Sequence, residues 1–191
     1  QLGALDFAGG AVVHINAGAA ALVCANVMLA VTMTFTMQTF PLPMWPMVIA
    51  WACFFHLGGG DRPPAALAAV VAHAVFGVFA GWLAALAILF NPTARPGTVW
   101  VPLVVGAAVG VMSLASGWPR LAVLPVCVYG FAANWAYLDV PGRFDATVLT
   151  TLRADNVIVA LPPALLIGCL FGWANVKLIA QLSAPAVRPL Q

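Results

Sequence analysis

The chain has 191 residues, 64% of them hydrophobic and 6% charged, with a mean hydropathy of +1.05. Soluble domains run at about 45–50% apolar and about 25% charged, and seven basic plus five acidic side chains cannot cover a globule of this size. A soluble enzyme and a disordered chain are therefore excluded. The net charge of +2 offers no basic patch to a nucleic acid, and membrane lipid is the partner that the apolar excess demands.

A helix that crosses a bilayer needs about 20 mostly apolar residues. In chain order, the first such run is Gly18–Gln38, broken by Pro41 and Pro43. A shorter run, Trp45–Leu57, ends at Gly58-Gly59-Gly60-Asp61-Arg62. The third, Ala65–Phe90, stops at Asn91-Pro92, and the fourth, Val99–Leu114, at Gly117-Trp118-Pro119. The fifth is Leu121–Leu138. A polar stretch over 139–155 then gathers Asp139, Arg143, Asp145, Arg153 and Asp155, five of the twelve charges. The sixth run is Val157–Leu182. No run alternates apolar and polar residues as a barrel strand must, and lipid leaves no other partner for backbone polar groups than the helix itself. The fold class predicted is all-α, a polytopic membrane protein of about six transmembrane helices. It reads as one transmembrane domain over 1–191: an N-terminal segment 1–17, a three-helix half over 18–90, a second over 99–182, and a tail over 183–191. Arg and Lys divide four to three between the two sides of this topology, so charge sets no orientation. The chain opens on Gln1, as a processed or trimmed product does, and carries no cleavable signal pattern.

The two halves resemble each other. Pro46 of Trp45-Pro46-Met47 falls on Pro125 at an offset of 79, and Gly77-x3-Gly81-Trp82 falls on Gly168-x3-Gly172-Trp173 at an offset of 91. The difference of 12 lies in the polar stretch, where a longer loop costs little. Three helices per half force the second half to run upside down, the inverted repeat of channels and secondary transporters. The glycines also have a packing role: Gly77, Gly81, Gly168 and Gly172 let helices approach closely.

Polar residues inside the runs are few, so each is informative. His14, Asn16 and Asn26 lie in or before the first run, His73 in the middle of the third, Asn134 in the fifth, and Asn175 and Lys177 late in the sixth. His73 reads either as a path-lining residue or as an interhelical hydrogen bond. Pro162-Pro163 is expected to kink the sixth run. Cys24, Cys53, Cys127 and Cys169 all sit in apolar sequence without a CxxC pair, so buried inert thiols are expected, with no metal site. No nucleophile triad, HExxH or phosphate loop is present, so the chain is not expected to be an enzyme and no cofactor is implied.

Two stretches resemble known families. Leu5-Asp6-Phe7-Ala8-Gly9-Gly10-Ala11-Val12-Val13-His14-Ile15-Asn16, within residues 2–22, resembles the fifth-helix signature of the ammonium transporter family. The resemblance implies that His14 lines a pore and that Asp6 supports its mouth; His73 is the loose counterpart of that family's second pore histidine. Those transporters have about eleven spans, and the rest of this chain does not follow them. Residues 18–182 instead resemble the small bacterial inner-membrane proteins of domain-of-unknown-function family 1097, through Trp45-Pro46-x4-Trp51-Ala52-x-Phe54-Phe55, Gly58-Gly59-Gly60 and the Gly81-Trp82 helix. That likeness implies a multi-pass protein of the bacterial inner membrane, and no activity. The function expected is a channel or transporter for a small polar, ammonium-like solute, with a path formed by His14, His73, Asp6, Asn16 and Asn134. The alternative is a non-transporting subunit of a larger membrane complex. A homo-oligomer or such a complex is the expected assembly.

Overall fold

The computed structural model describes residues 10–39, 43, 46–51, 64–93, 96–121 and 123–183. Among them there is no strand, and the chain is all-helical. The elements are α1 (Gly10–Thr39), α2 (described over residues 46–51), α3 (Pro64–Leu89), α4 (Gly97–Ala115), α5 (Leu124–Leu138), the short α6 (Ala146–Thr150) and α7 (Val157–Ser183). Three helices are long and apolar enough to cross a membrane: Ala66–Leu89, Gly97–Ala115 and Val157–Leu182. Their ends fall where the sequence breaks them. Pro96 caps α4, Pro125 occupies the first turn of α5, where a missing N–H costs nothing, and Asn156 stands just before α7. The fifth run starts three residues later than expected, because a 3-10 turn, Pro119–Leu121, takes up its beginning. Helix α7 runs unbroken in its assignment through both Pro162 and Pro163.

Helix α3 is the hub, packed against α4, α5, α6 and α7. Its core partners include Val126 and Ala133 from α5 and Leu161 and Leu165 from α7, all buried. Apolar side chains gain nothing by leaving lipid for one another, so close fit must hold such helices together. The α3–α5 seam has that fit. A methyl group on Gly77 would lie 1.9 Å from the Cys127 carbonyl oxygen, and one on Gly130 would lie 1.9 Å from that of Ala74. Each glycine therefore turns a hydrogen toward the other helix's backbone, a Cα–H···O geometry worth about 0.5–1 kcal/mol. Gly168 of α7 meets α2 in the same way, 2.2 Å from the Met47 carbonyl. Helix α4 returns beside α3, with the Trp100 indole donating to the Ala87 carbonyl at 2.9 Å, and is otherwise almost wholly exposed. The α1–α7 contact includes an Asn175–Asn26 side-chain hydrogen bond of 2.9 Å.

The polar stretch, expected as a loop, is a folded cap. Asp145 accepts from the Thr147 and Val148 amides and so starts α6. The Asn156 amide nitrogen donates to the carbonyls of Val148, Leu149 and Thr151, while its oxygen accepts from Ile158 N. The Trp82 indole reaches up from α3 to the Leu149 carbonyl at 3.0 Å. Tyr137 donates to the Asp155 carbonyl at 3.0 Å, and the Arg143 guanidinium lies 4.0 Å over the Tyr137 ring. Cys127 and Cys169 are buried as expected, but Cys24 is exposed on α1. Cys53 lies outside the described residues.

Candidate functional site

His73 lies in the tenth position of α3, 4% exposed. Its Nδ1 donates to the Ala69 carbonyl one turn back, which leaves the lone pair of Nε2 buried without a partner. His73, Gly77 and Gly81 are spaced by four, so they form one stripe, and its glycines lie against α5. Gly81 is the seat of Asn134: a methyl group there would lie 2.7 Å from the Asn134 side-chain carbon. Asn134 is fully buried, and neither its amide nitrogen nor its oxygen has a hydrogen-bond partner. Eight residues of α3 separate His73 from Gly81, about 12 Å along the axis at 1.5 Å per residue. The seam thus carries two polar side chains with unused hydrogen-bonding capacity. An unpaired buried polar group costs about 1–3 kcal/mol, so such groups are retained for a reason other than stability.

Beside one end of the seam lies an open, cleft-like cavity of about 740 Å³ under the cap. Its walls come from the end of α3 (Ile88), the start of α4 (Val101), the end of α5 (Trp135, Leu138, Asp139) and the cap (Phe144). The Trp135 indole N–H is buried without a partner, and the Trp135 and Phe144 rings are 6.5 Å apart. The Asp139 carboxylate has neither a hydrogen bond nor an ion pair among the described residues. Gly142 makes the turn that closes this wall, at φ +83°, a backbone conformation open to glycine.

Of the residues expected to form a path, the structure brings His73 and Asn134 to one seam. Asn16 is exposed on α1, and the His14 side chain and Asp6 lie outside the described residues. Gly77, Gly81 and Gly168 each meet a neighbouring element closely, and Gly172 is buried. Sequence reasoning missed the cavity, because its lining is drawn from three helices and a cap that no local pattern joins. Among the described residues no group of three metal-ligating side chains assembles.

A family model described as "Protein of unknown function (DUF1097)" matches residues 19–180. The chain belongs to that family. No curated protein and no solved structure matches it. The match begins at residue 19, after nearly all of the ammonium-transporter-like segment.

Proposed function

We propose that this DUF1097 member is a six-span, inverted-repeat channel or transporter for a small polar solute in the bacterial inner membrane, with His73 and Asn134 on its path. The observation that carries the reading is the seam itself: a buried Nε2 and a buried primary amide, all without partners, between two helices that otherwise fit backbone to backbone. A solute or a water file that visits the seam would supply the missing partners. Both side chains are neutral as hydrogen-bond groups, so the lining would replace part of a solute's water shell without trapping it by fixed charge. His14 and Asp6 would extend the path if the ammonium-transporter likeness reflects function.

The repeat draws support from exchanged packing. Shifted by 91 positions, Gly77 falls on Gly168; shifted by 79, Met47 falls on Val126, the neighbour of Cys127. Gly77 of α3 seats on Cys127 of α5, and Gly168 of α7 seats on Met47 of α2. The third helix of each half thus packs on the second helix of the other, the exchange that a two-fold relation between the halves would give. A second reading, an accessory subunit, is favoured by α4: methyl groups on Gly106 or Gly110 would meet nothing within 4 Å, so this GxxxG face is open to another helix.

The test is flux of ammonium, methylammonium and urea into proteoliposomes, with His73→Ala and Asn134→Leu beside the native chain. Both variants are expected to lower flux at least tenfold. Asn134→Leu removes two unpaired atoms for a similar volume, so it should melt no lower than the native protein. Flux that is absent from the native chain, or that persists in both variants, overturns the reading.

A further inference from the structure

We propose that the cavity beneath the cap is a binding site for an organic cation, an ammonium group carried on an apolar or aromatic body. The proposal stands apart from the transport reading, since a cation can bind here whether or not it is carried across.

Three observations define the ligand. The first is size. At about 740 Å³ this open cleft falls within the roughly 300–1,000 Å³ range of ligand clefts, far more than a bare ammonium ion fills. The second is wall chemistry: Ile88, Val101 and Leu138 are apolar, and Trp135 and Phe144 offer two aromatic rings tilted by 37°. The negative faces of such rings attract cations, Trp most strongly. The third is charge. Asp139 is the acidic residue in the lining, its carboxylate is unpaired, and it caps the C-terminus of α5, where the helix dipole is negative.

Arg143, the cation next to the lining among the described residues, does not fill this role. Arg143 lies 4.0 Å over the Tyr137 ring and donates to the Tyr137 carbonyl at 3.4 Å. The cap already holds one guanidinium on an aromatic face, beside a second aromatic pair that holds none.

A free amphiphilic amine and the choline headgroup of a lipid share this chemistry, so the experiment separates them. The full-length protein is placed in nanodiscs of phosphatidylglycerol alone, or of phosphatidylglycerol mixed with phosphatidylcholine. Binding of benzyltrimethylammonium is measured by equilibrium dialysis, with its uncharged isostere neopentylbenzene as competitor. Saturable binding of one cation per chain is expected in the anionic discs, and poor displacement by the isostere. Asp139→Asn and Phe144→Leu change exposed side chains and are expected to leave the melting temperature unchanged. Each is expected to weaken binding roughly tenfold, the scale of one desolvated cation contact. Binding that weakens only in the phosphatidylcholine discs identifies a lipid headgroup as the occupant; equal binding in both identifies a free organic cation. No saturable binding, or equal affinity in Asp139→Asn, or equal competition by the isostere, overturns the proposal.

Discussion

Single residues here divide into those that fit and those that do not. Gly77 and Gly130 face carbonyl oxygens at distances no side chain tolerates, and the obstacles are backbone, which cannot swing aside. Gly106 and Gly110 face open space. The four are alike in sequence, each a glycine inside an apolar helix, and only the neighbours distinguish them. Gly77→Ala and Gly130→Ala should each destabilise the protein by about 1–3 kcal/mol or more, as overpacking does. Gly106→Ala and Gly110→Ala should be neutral or stabilise by about 0.5–1 kcal/mol, the helix-propensity gain of alanine. Thermal unfolding in a mild detergent checks the contrast; equal losses at all four positions would mean that α4 is packed in solution. His73 and Asn134 are the opposite kind of residue. They were legible in the sequence because polarity inside an apolar run is rare. Their seam was not, because the pairing of α3 with α5 depends on Gly77 and Gly130, 53 positions apart.

At the scale of elements, the apolar runs located the helices well. The third run was expected over Ala65–Phe90 and is Pro64–Leu89; the sixth was expected over Val157–Leu182 and is Val157–Ser183. A run of apolar residues in lipid has one solution, so length alone sufficed. The cap was not legible. Helix α6 has five residues and no period to read, and it exists because Asp145 starts it and Asn156, beyond its end, takes its carbonyls. One asparagine therefore fixes two elements. Asn156→Ala should remove the cap of α7 at about 1 kcal/mol. It should also leave the Val148, Leu149 and Thr151 carbonyls without that donor. Hydrogen exchange is the readout: the amides of 146–151 should lose protection while those in the middle of α3 keep theirs. Uniform loss would mean that the cap and the bundle unfold together.

For the whole molecule, the deciding element is α5. At 15 residues it spans about 23 Å, less than the roughly 30 Å hydrocarbon core, and so falls outside the helices that are long enough by themselves. Three features argue that it crosses. It follows α3 from Ala74 to Ile88, with Gly130 beside Ala74, Asn134 beside Gly81 and Leu138 in the cavity wall with Ile88. Its start is preceded by the exposed turn at Trp118 and its end is followed by the cap, and both are boundary sequence. Val126, Cys127, Gly130, Phe131, Ala133, Asn134, Tyr137 and Leu138 of α5 are buried in the bundle, which reduces the lipid contact that makes mismatch costly. If α5 crosses, the turn at 116–121 and the cap at 139–156 lie on opposite sides of the membrane, and the α3–α4 turn lies on the side of the cap. If it does not, the 116–121 turn and the cap share a side. Single cysteines at Thr93, Gly117 and Thr147, all exposed, in a chain freed of its own four cysteines, decide between these with a membrane-impermeant maleimide on sealed spheroplasts and inverted vesicles. Thr93→Cys and Thr147→Cys should label from one side and Gly117→Cys from the other. The same side for Gly117→Cys and Thr147→Cys would remove the sixth span. The inverted repeat would go with it, since three helices in each half are what force the halves to run in opposite senses.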